Sequence, residues 1–505
     1  MAKIFYHAVP VDWRKEQKYD FLEKAGSIAG VKWTTLTPDK KQNWLDHGYR
    51  PEFDDFMAIG DRDLVSGNSI PPIFSHYSRG IATSRDDTAV NFNRDRLAKN
   101  MEEMIDAYNG QVDAYHRLKK KPAKVEDFID YKSGKISWSR DLKNDLLRHR
   151  KVEFAEEKIR PSLYRPFAAT SLFFDRVMNE EVYGFPEIFP KLDSKNFSIC
   201  ITDAASEKPF MVLATDKIAD LHIVGAGASA QCFPLFHYVE DTNKKKFERR
   251  DNITPEALTL FRIFYDDDSN TRENIFHYIY ALLHRPTYRT RYAENLKREL
   301  PRIPFVGVAA KKDSPASFYP LSAIATMQGD AKPDHNPKAS AKLFHAFADV
   351  GKKLADLHVN YESAKEFPLK RIENKEVKLD WRVETMKLLK VGTPFHHVPN
   401  FSRSRRNRKV RDAVEVVPTA SIIYNDFLTL EGIPAETFDY RLGNRSALEW
   451  VIDQYRVAKN EQGNLTSDPN RMDDEEYIVR LIGQVITVSL ETRRLISTLP
   501  KIIFE

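Results

Sequence analysis

Leu221-His-Ile-Val-Gly225-Ala-Gly227-Ala-Ser-Ala230 is the stretch on which the fold class turns. It reads as a strand running into a GxGxxA turn, with acids following at Glu240 and Asp241, and so imitates a dinucleotide-binding fingerprint. In that fingerprint the glycines open a helix whose N-terminus meets the pyrophosphate. Here only a few residues separate Gly227 from Pro234 and another β-like run, which leaves no room for the helix. The glycines therefore read as a turn within a sheet rather than as a cofactor site.

Working outward, Phe197 to Thr202, Phe210 to Ala214 and Leu221 to Val224 read as strands of one sheet region. On its N-terminal side, Leu97, Met101, Met104, Ile105, Tyr108, Val112 and Tyr115 recur at spacings of three and four, which predicts a long helix from Asn93 to Leu118. The basic, proline-marked segment from His116 to Lys124 then forms a boundary. Earlier still, Lys3 to Val9 reads as a strand, Asp12 as the cap of a helix reaching Gly26, and Val31 to Leu36 as a second strand. On the C-terminal side, Pro255 to Leu300 reads as helices divided at Arg285-Pro286. The Ser-, Pro-, Ala- and Asp-rich stretch from Lys311 to Ala341 reads as a surface excursion, followed by a helix from Leu343 to Leu357. Short β runs return around Lys378, Val414 and Ser421 to Thr429, and helices at Ser446 to Val457 and Glu475 to Leu499 close the chain. No solenoid-period repeat interrupts this pattern. The reading is α+β and multi-domain, with a helical connector and helical blocks around a mixed β-sheet region.

The length of 505 residues fits about three domains at roughly 100–200 residues each. Lys+Arg 78 against Asp+Glu 73 gives +5, too small a bias for net charge alone to hold a polyanion. Any nucleic-acid site must then be a local patch. Cys200 and Cys232 lack CxxC spacing, so neither a zinc ribbon nor a disulfide framework is read from them, and a reducing cytoplasm is the expected location. No signal peptide is read at the start, and no run is apolar enough to span a bilayer, so no membrane partner is expected.

Catalytic motifs are weak. A nuclease reading would pair Pro333-Asp334 with Glu373-Asn374-Lys375 around Mg²⁺. Acid-x-Lys recurs at Glu16, Asp141 and Glu156, however, so chance accounts for it. His396-His397 lacks a third ligand at helical spacing. No GxxxxGK[ST] phosphate loop exists. Ile70-Pro71-Pro72-Ile73 has the prolines that grip an extruded base but neither the polar nor the aromatic flank.

The basic residues are uneven. Between Glu384 and Asp412 there is no acid, while Lys387, Lys390, Arg403, Arg405, Arg406, Arg408, Lys409 and Arg411 accumulate, which makes a candidate phosphate rail. The bland reading of such a run is a solvated loop. Lys244, Lys245, Lys246, Arg249 and Arg250 form a second cluster, and Arg285, Arg289 and Arg291 with Tyr288 a third. The three patches are expected to line one cleft.

Longer strings carry a resemblance: Tyr77-Ser-Arg-Gly-Ile-Ala-Thr-Ser-Arg85-Asp86, Leu163-Tyr-Arg-Pro-Phe167, Tyr278-Ile-Tyr-Ala-Leu-Leu-His-Arg-Pro-Thr-Tyr-Arg289, Tyr292-Ala-Glu-Asn-Leu-Lys-Arg-Glu-Leu-Pro-Arg-Ile-Pro304, Arg445-Ser-Ala-Leu-Glu-Trp450 and Ile486-Thr-Val-Ser-Leu-Glu-Thr492. Together they resemble the C-terminal part of type ISP restriction-modification enzymes, which join nuclease, helicase, adenine methyltransferase and target recognition parts in one chain. The resemblance implies that residues 1–95 are the tail of the methyltransferase fold, 96–150 a helical connector and 151–505 the target recognition domain. It implies recognition of double-stranded DNA for adenine-N6 methylation and cleavage by parts outside this chain. No catalytic residue carries over. S-adenosylmethionine, ATP and Mg²⁺ are expected only for the complete enzyme, with no cofactor or metal in this chain. The loop from Tyr77 to Asp86 would serve the methyltransferase side of the cleft, with Gly80 allowing close approach and Ser78, Arg79, Thr83 and Arg85 gripping phosphate. The competing reading is an enzyme, either a methyltransferase completed by a partner chain or a Mg²⁺ nuclease. An RNA-binding reading lacks an RNP-like aromatic string.

Overall fold

The structure, a computed structural model, describes residues 3–10, 13, 15–38, 44, 48–60, 71–241, 243, 246–311, 314–325, 334–390, 394–395, 415–416, 419–459, 463 and 465–503. The long helix forms at Arg94–Arg117, and the seven apolar residues at its three-and-four spacing are the ones it buries. Asn93 starts it by accepting the Arg96 N–H. Its buried stripe meets Leu142, Leu146, Ile159 and Phe173, which makes the connector a small core of its own.

Among the described residues there are three four-stranded sheets, one mixed and two antiparallel. The first, in the order Ile218–Ala219, Ile159–Arg165, Ala168–Phe173, Val90–Asn91, is mixed, with its only parallel pairing between Ile218–Ala219 and Ile159–Arg165. The second, central sheet runs Ser78–Arg79, Ala230–Pro234, Ser198–Thr202, Val212–Thr215 and is antiparallel throughout. One face, with Ile199, Ile201, Val212 and Phe233, enters the largest core beside helices Pro255–Tyr265, Arg272–His284 and Pro337–Val359. The third sheet, Lys370–Glu373, Leu428–Ile433, Ala420–Ile423, Lys387–Leu389, packs with helices Ala447–Gln454 and Tyr477–Ser497 in a second large core. Antiparallel sheets with separate helical blocks make this an α+β fold.

Two expectations need correction. Leu221 to Val224 is a turn, not a strand, because Asp220 accepts the His222 N–H at 2.8 Å and Gly225 N–H closes on His222 O at 2.7 Å. The stretch after Lys311 is not wholly an excursion: Ala316–Tyr319 pairs with Phe305–Val308. The glycine turn itself has Gly225 and Gly227 at positive φ and leads into strand Ala230–Pro234, so no helix N-terminus stands over it. Among the described residues no helix is long and apolar enough to cross a membrane.

Candidate nucleic-acid interface

Arg403, Arg405, Arg406, Arg408, Lys409 and Arg411, together with Lys244 and Lys245, lie outside the described residues. The other basic residues fall into two kinds.

Arg85 is 4 % exposed and spends its guanidinium indoors. It donates to Met178 O, to Ser139 Oγ at 2.7 Å and to Ser137 O at 3.3 Å. Burial pushes its pKa down to about 10, which still leaves it charged near neutrality. Thr83 is buried as well, donating to Asp86 while its hydroxyl accepts the Arg85 N–H at 3.1 Å. Ser78 donates to Arg79 O at 2.7 Å and accepts the Gly184 N–H at 3.0 Å. Gly80 serves an internal approach: a Cβ there would stand 2.3 Å from Asp220 O. Arg85, Thr83 and Ser78 are therefore braces of this loop, and in this fold none of them presents its polar group to a phosphate.

The third cluster is also largely committed. Arg289 donates to Phe210 O and lies over the Phe210 ring, and burial lowers its pKa. Arg291 pairs with Glu52 at 2.8 Å. Arg285 is 7 % exposed and donates to Thr287 Oγ1 at 2.8 Å.

Arg79 and Arg249 are the other kind. Arg79 sits on the edge strand of the central sheet with its side chain 49 % exposed, 3.8 Å from the Asp203 carboxylate. Arg249 is exposed on the hairpin Phe236–Asp241/Lys246–Asp251, lying 4.2 Å over the Phe236 ring. Lys246 is exposed on the same strand, and Arg250 pairs with Glu248 at 2.9 Å. The hairpin continues from the central sheet, and His76 stacks on His237 with ring centroids 4.1 Å apart, fixing it beside the segment that enters the Arg79 strand. The turn after Ser198–Thr202 connects Arg79 with the third cluster, since Asp203 faces Arg79, Ala205 N–H bonds Lys297 O at 2.7 Å, and Phe210 O takes Arg289. Sequence reasoning missed Asp203 and Gln231, because only strand pairing brings them beside Arg79, and it missed the His76–His237 stack, which joins positions far apart in the chain.

Other candidates give little. Glu373 lies on the third sheet, whereas Asp334 lies against Ala310 beside the largest core, so the acids of the nuclease reading stand on different units. Among the described residues no group of three or more His, Cys, Asp or Glu is placed to hold a metal ion. A cleft of about 700 Å³ between the start of the connector helix and the C-terminal core balances Arg96, Lys99, Arg382 and Arg471 against Asp95, Asp380, Asp468 and Glu475, so its charge does not select a polyanion.

The chain is α+β, with exposed basic side chains on one sheet edge and on its adjoining hairpin. The family model that matches residues 72–481 is the Type ISP C-terminal specificity domain, and this chain belongs to that family. It is similar in structure to a nuclease-deletion mutant of the Type ISP restriction-modification enzyme LlaGI in complex with a DNA substrate mimic, at TM-score 0.72 and 28 % identity, over 100 % of this chain and 39 % of that one. The ATP-dependent Type ISP enzyme LlaBIII bound to DNA matches at TM-score 0.70 and 25 % identity, over 97 % and 28 %. A DrdV–DNA complex matches at TM-score 0.71 and 30 % identity, over 99 % and 44 %. The chain thus spans less than half the length of each of these solved relatives. No curated protein matches the sequence.

Proposed function

We propose that this chain recognises double-stranded DNA as the specificity part of a type ISP restriction-modification system, positioning the duplex for adenine-N6 methylation and cleavage by methyltransferase, helicase and nuclease parts that lie outside it. The observation that carries this is the similarity along essentially the whole chain to LlaGI and LlaBIII structures solved on DNA or its mimic. Phosphate contacts would come from Arg79, Arg249 and Lys246 and from the acid-free segment holding Arg403, Arg405, Arg406, Arg408, Lys409 and Arg411. Arg85 and Arg289 support that surface from within.

Residues 1–95 would complete a methyltransferase fold. Among the described residues, strands Ile4–Tyr6 and Thr34–Leu36 pair only with each other, and helix Lys15–Ala25 buries none of its residues. Phe5, Tyr19, Leu22 and Ile28 are exposed by 56 %, 59 %, 60 % and 79 %, a set of apolar groups that a neighbouring sheet would cover. Residues 96–150 act as the connector and 151–505 as the recognition domain. S-adenosylmethionine, ATP and Mg²⁺ serve the other parts of the system, with none required by this chain, and the setting is the cytoplasm.

The test is binding of a labelled duplex as a function of salt. Replacing Arg405, Arg406 and Arg408 together by Ala should weaken binding to all sequences and flatten the log–log salt slope by about 0.9 per lost contact. Affinity and slope unchanged in the triple variant would remove that segment from the interface. Incubating the purified chain with plasmid, Mg²⁺ and labelled S-adenosylmethionine should give neither nicking nor methylation; sustained turnover by homogeneous protein would favour the enzyme reading.

A further inference from the structure

Arg79 differs from the other described arginines of the loop and the third cluster in how it is held. Arg85 and Arg289 donate to backbone carbonyls, and Arg291 is paired with Glu52, whereas Arg79 keeps half its surface and meets one carboxylate. That carboxylate, Asp203, is 4 % exposed and is built into the sheet. Its Oδ1 accepts the Ala204 N–H at 2.8 Å, and its Oδ2 accepts Gln231 Nε2 at 3.1 Å and Ser229 Oγ at 3.3 Å. The Asp203 N–H in turn bonds Ser229 O at 2.8 Å. Gln231 lies opposite Arg79 on the edge strand, and its strand pairs on the other side with Ser198–Thr202, the strand that Asp203 follows, so Gln231 stands between Arg79 and the carboxylate. A long, flexible side chain on an edge strand ordinarily loses rotamer entropy when it is fixed on a ligand. A carboxylate anchored by three donors removes part of that loss beforehand.

We infer that Asp203 is a positioning residue for DNA binding: it holds the Arg79 guanidinium in place to take a backbone phosphate at the end of the central sheet. The inference rests on the DNA-binding reading above. Its distinguishing feature is a sign. A buried carboxylate acting only through its charge repels a polyanion, so neutralising it should tighten DNA binding. A carboxylate that orients Arg79 should, when neutralised, weaken it. Asp203→Asn keeps the shape, and Gln231 can accommodate the new amide by turning its own, because Gln231 Oε1 has no partner.

The experiment is a double-mutant cycle with the full chain, using a fluorescein-labelled duplex of mixed sequence over a range of salt concentrations. Asp203→Asn should weaken binding about threefold to tenfold in the wild-type background, within the range of coupling between contacting residues, and should not weaken it when Arg79 is already Ala. Arg79→Ala alone should lower the salt slope by about 0.9. Unchanged or tighter binding by Asp203→Asn would overturn the inference, as would equal weakening in both backgrounds, which would mark Asp203 as a stabiliser of the sheet alone. Wild-type chain that shows no salt-dependent duplex binding would instead overturn the DNA-binding reading, a result separable from any behaviour of the variants.

Discussion

Arg79 and Arg85 stand six positions apart in one loop, have the same chemistry, and have opposite surroundings. The first is half exposed on an edge strand, with a single carboxylate beside it. The second is enclosed, with donors directed to Ser137, Ser139 and Met178. Exposure therefore decides what an arginine in a basic loop is for: the outer one is available to a ligand, while the inner one ties the loop to the connector core. The same division separates Arg249 on its hairpin from Arg289 against Phe210.

Removing the inner guanidinium should have the largest effect. Arg85→Met should leave two carbonyls and a hydroxyl without their donor and lower the stability of the chain by about 3 kcal/mol, measured by urea unfolding. Arg79→Ala should change stability by less than about 0.5 kcal/mol, as expected of an exposed side chain. If the two variants melt alike, the division into brace and contact is wrong.

A second prediction extends the comparison to groups that titrate. His284 and His358 are buried between the two large cores; burial pushes His284 down to about 3 and His358 well below its ordinary value. Both are neutral when folded and take up protons when unfolded, near pH 6.5, so their contribution is present above that pH and is lost as pH falls. Each removes about 1.4 kcal/mol per pH unit below 6.5. Asp220, raised by burial to about 6 from 3.8 in spite of Arg165 at 2.6 Å, works in the opposite direction between those values and offsets one histidine. Urea unfolding between pH 6 and pH 4 should show stability falling with acid, and His284→Phe should flatten that limb. A limb equally steep in the variant would show that His284 is not held neutral.

The smallest effect is expected at Arg291. Its pair with Glu52 is partly exposed on both sides, 25 % and 41 %, so Arg291→Ala should cost no more than about 1 kcal/mol of stability. It should leave duplex affinity within about twofold of wild type, since a small, screened change is all that the loss of a paired rim charge brings. A loss of affinity as large as that of Arg79→Ala would place the third cluster on the DNA after all.

The connector helix was legible from local pattern, because seven apolar side chains at a period near 3.6 admit one buried face, and the structure buries those seven. The local sequence also determined that Gly225 and Gly227 do not open a cofactor helix, since Pro234 follows too soon, and the long strings sufficed to place the chain in its family. Which arginines remain outside depends on long-range contacts. Arg85 finds Ser137, Ser139 and Met178, and Arg79 finds Asp203, through contacts between segments far apart in the chain. The run Leu221 to Val224 shows the same limit, where Asp220 and Gly225 turn a stretch of β-formers out of the sheet. The physical reason is range. Periodicity and turn chemistry act between neighbours and are written in the local sequence, whereas desolvation and ion pairing depend on whatever the fold brings within a few ångströms, which for Arg79 is a carboxylate anchored by Ser229 and by Gln231 of the neighbouring strand.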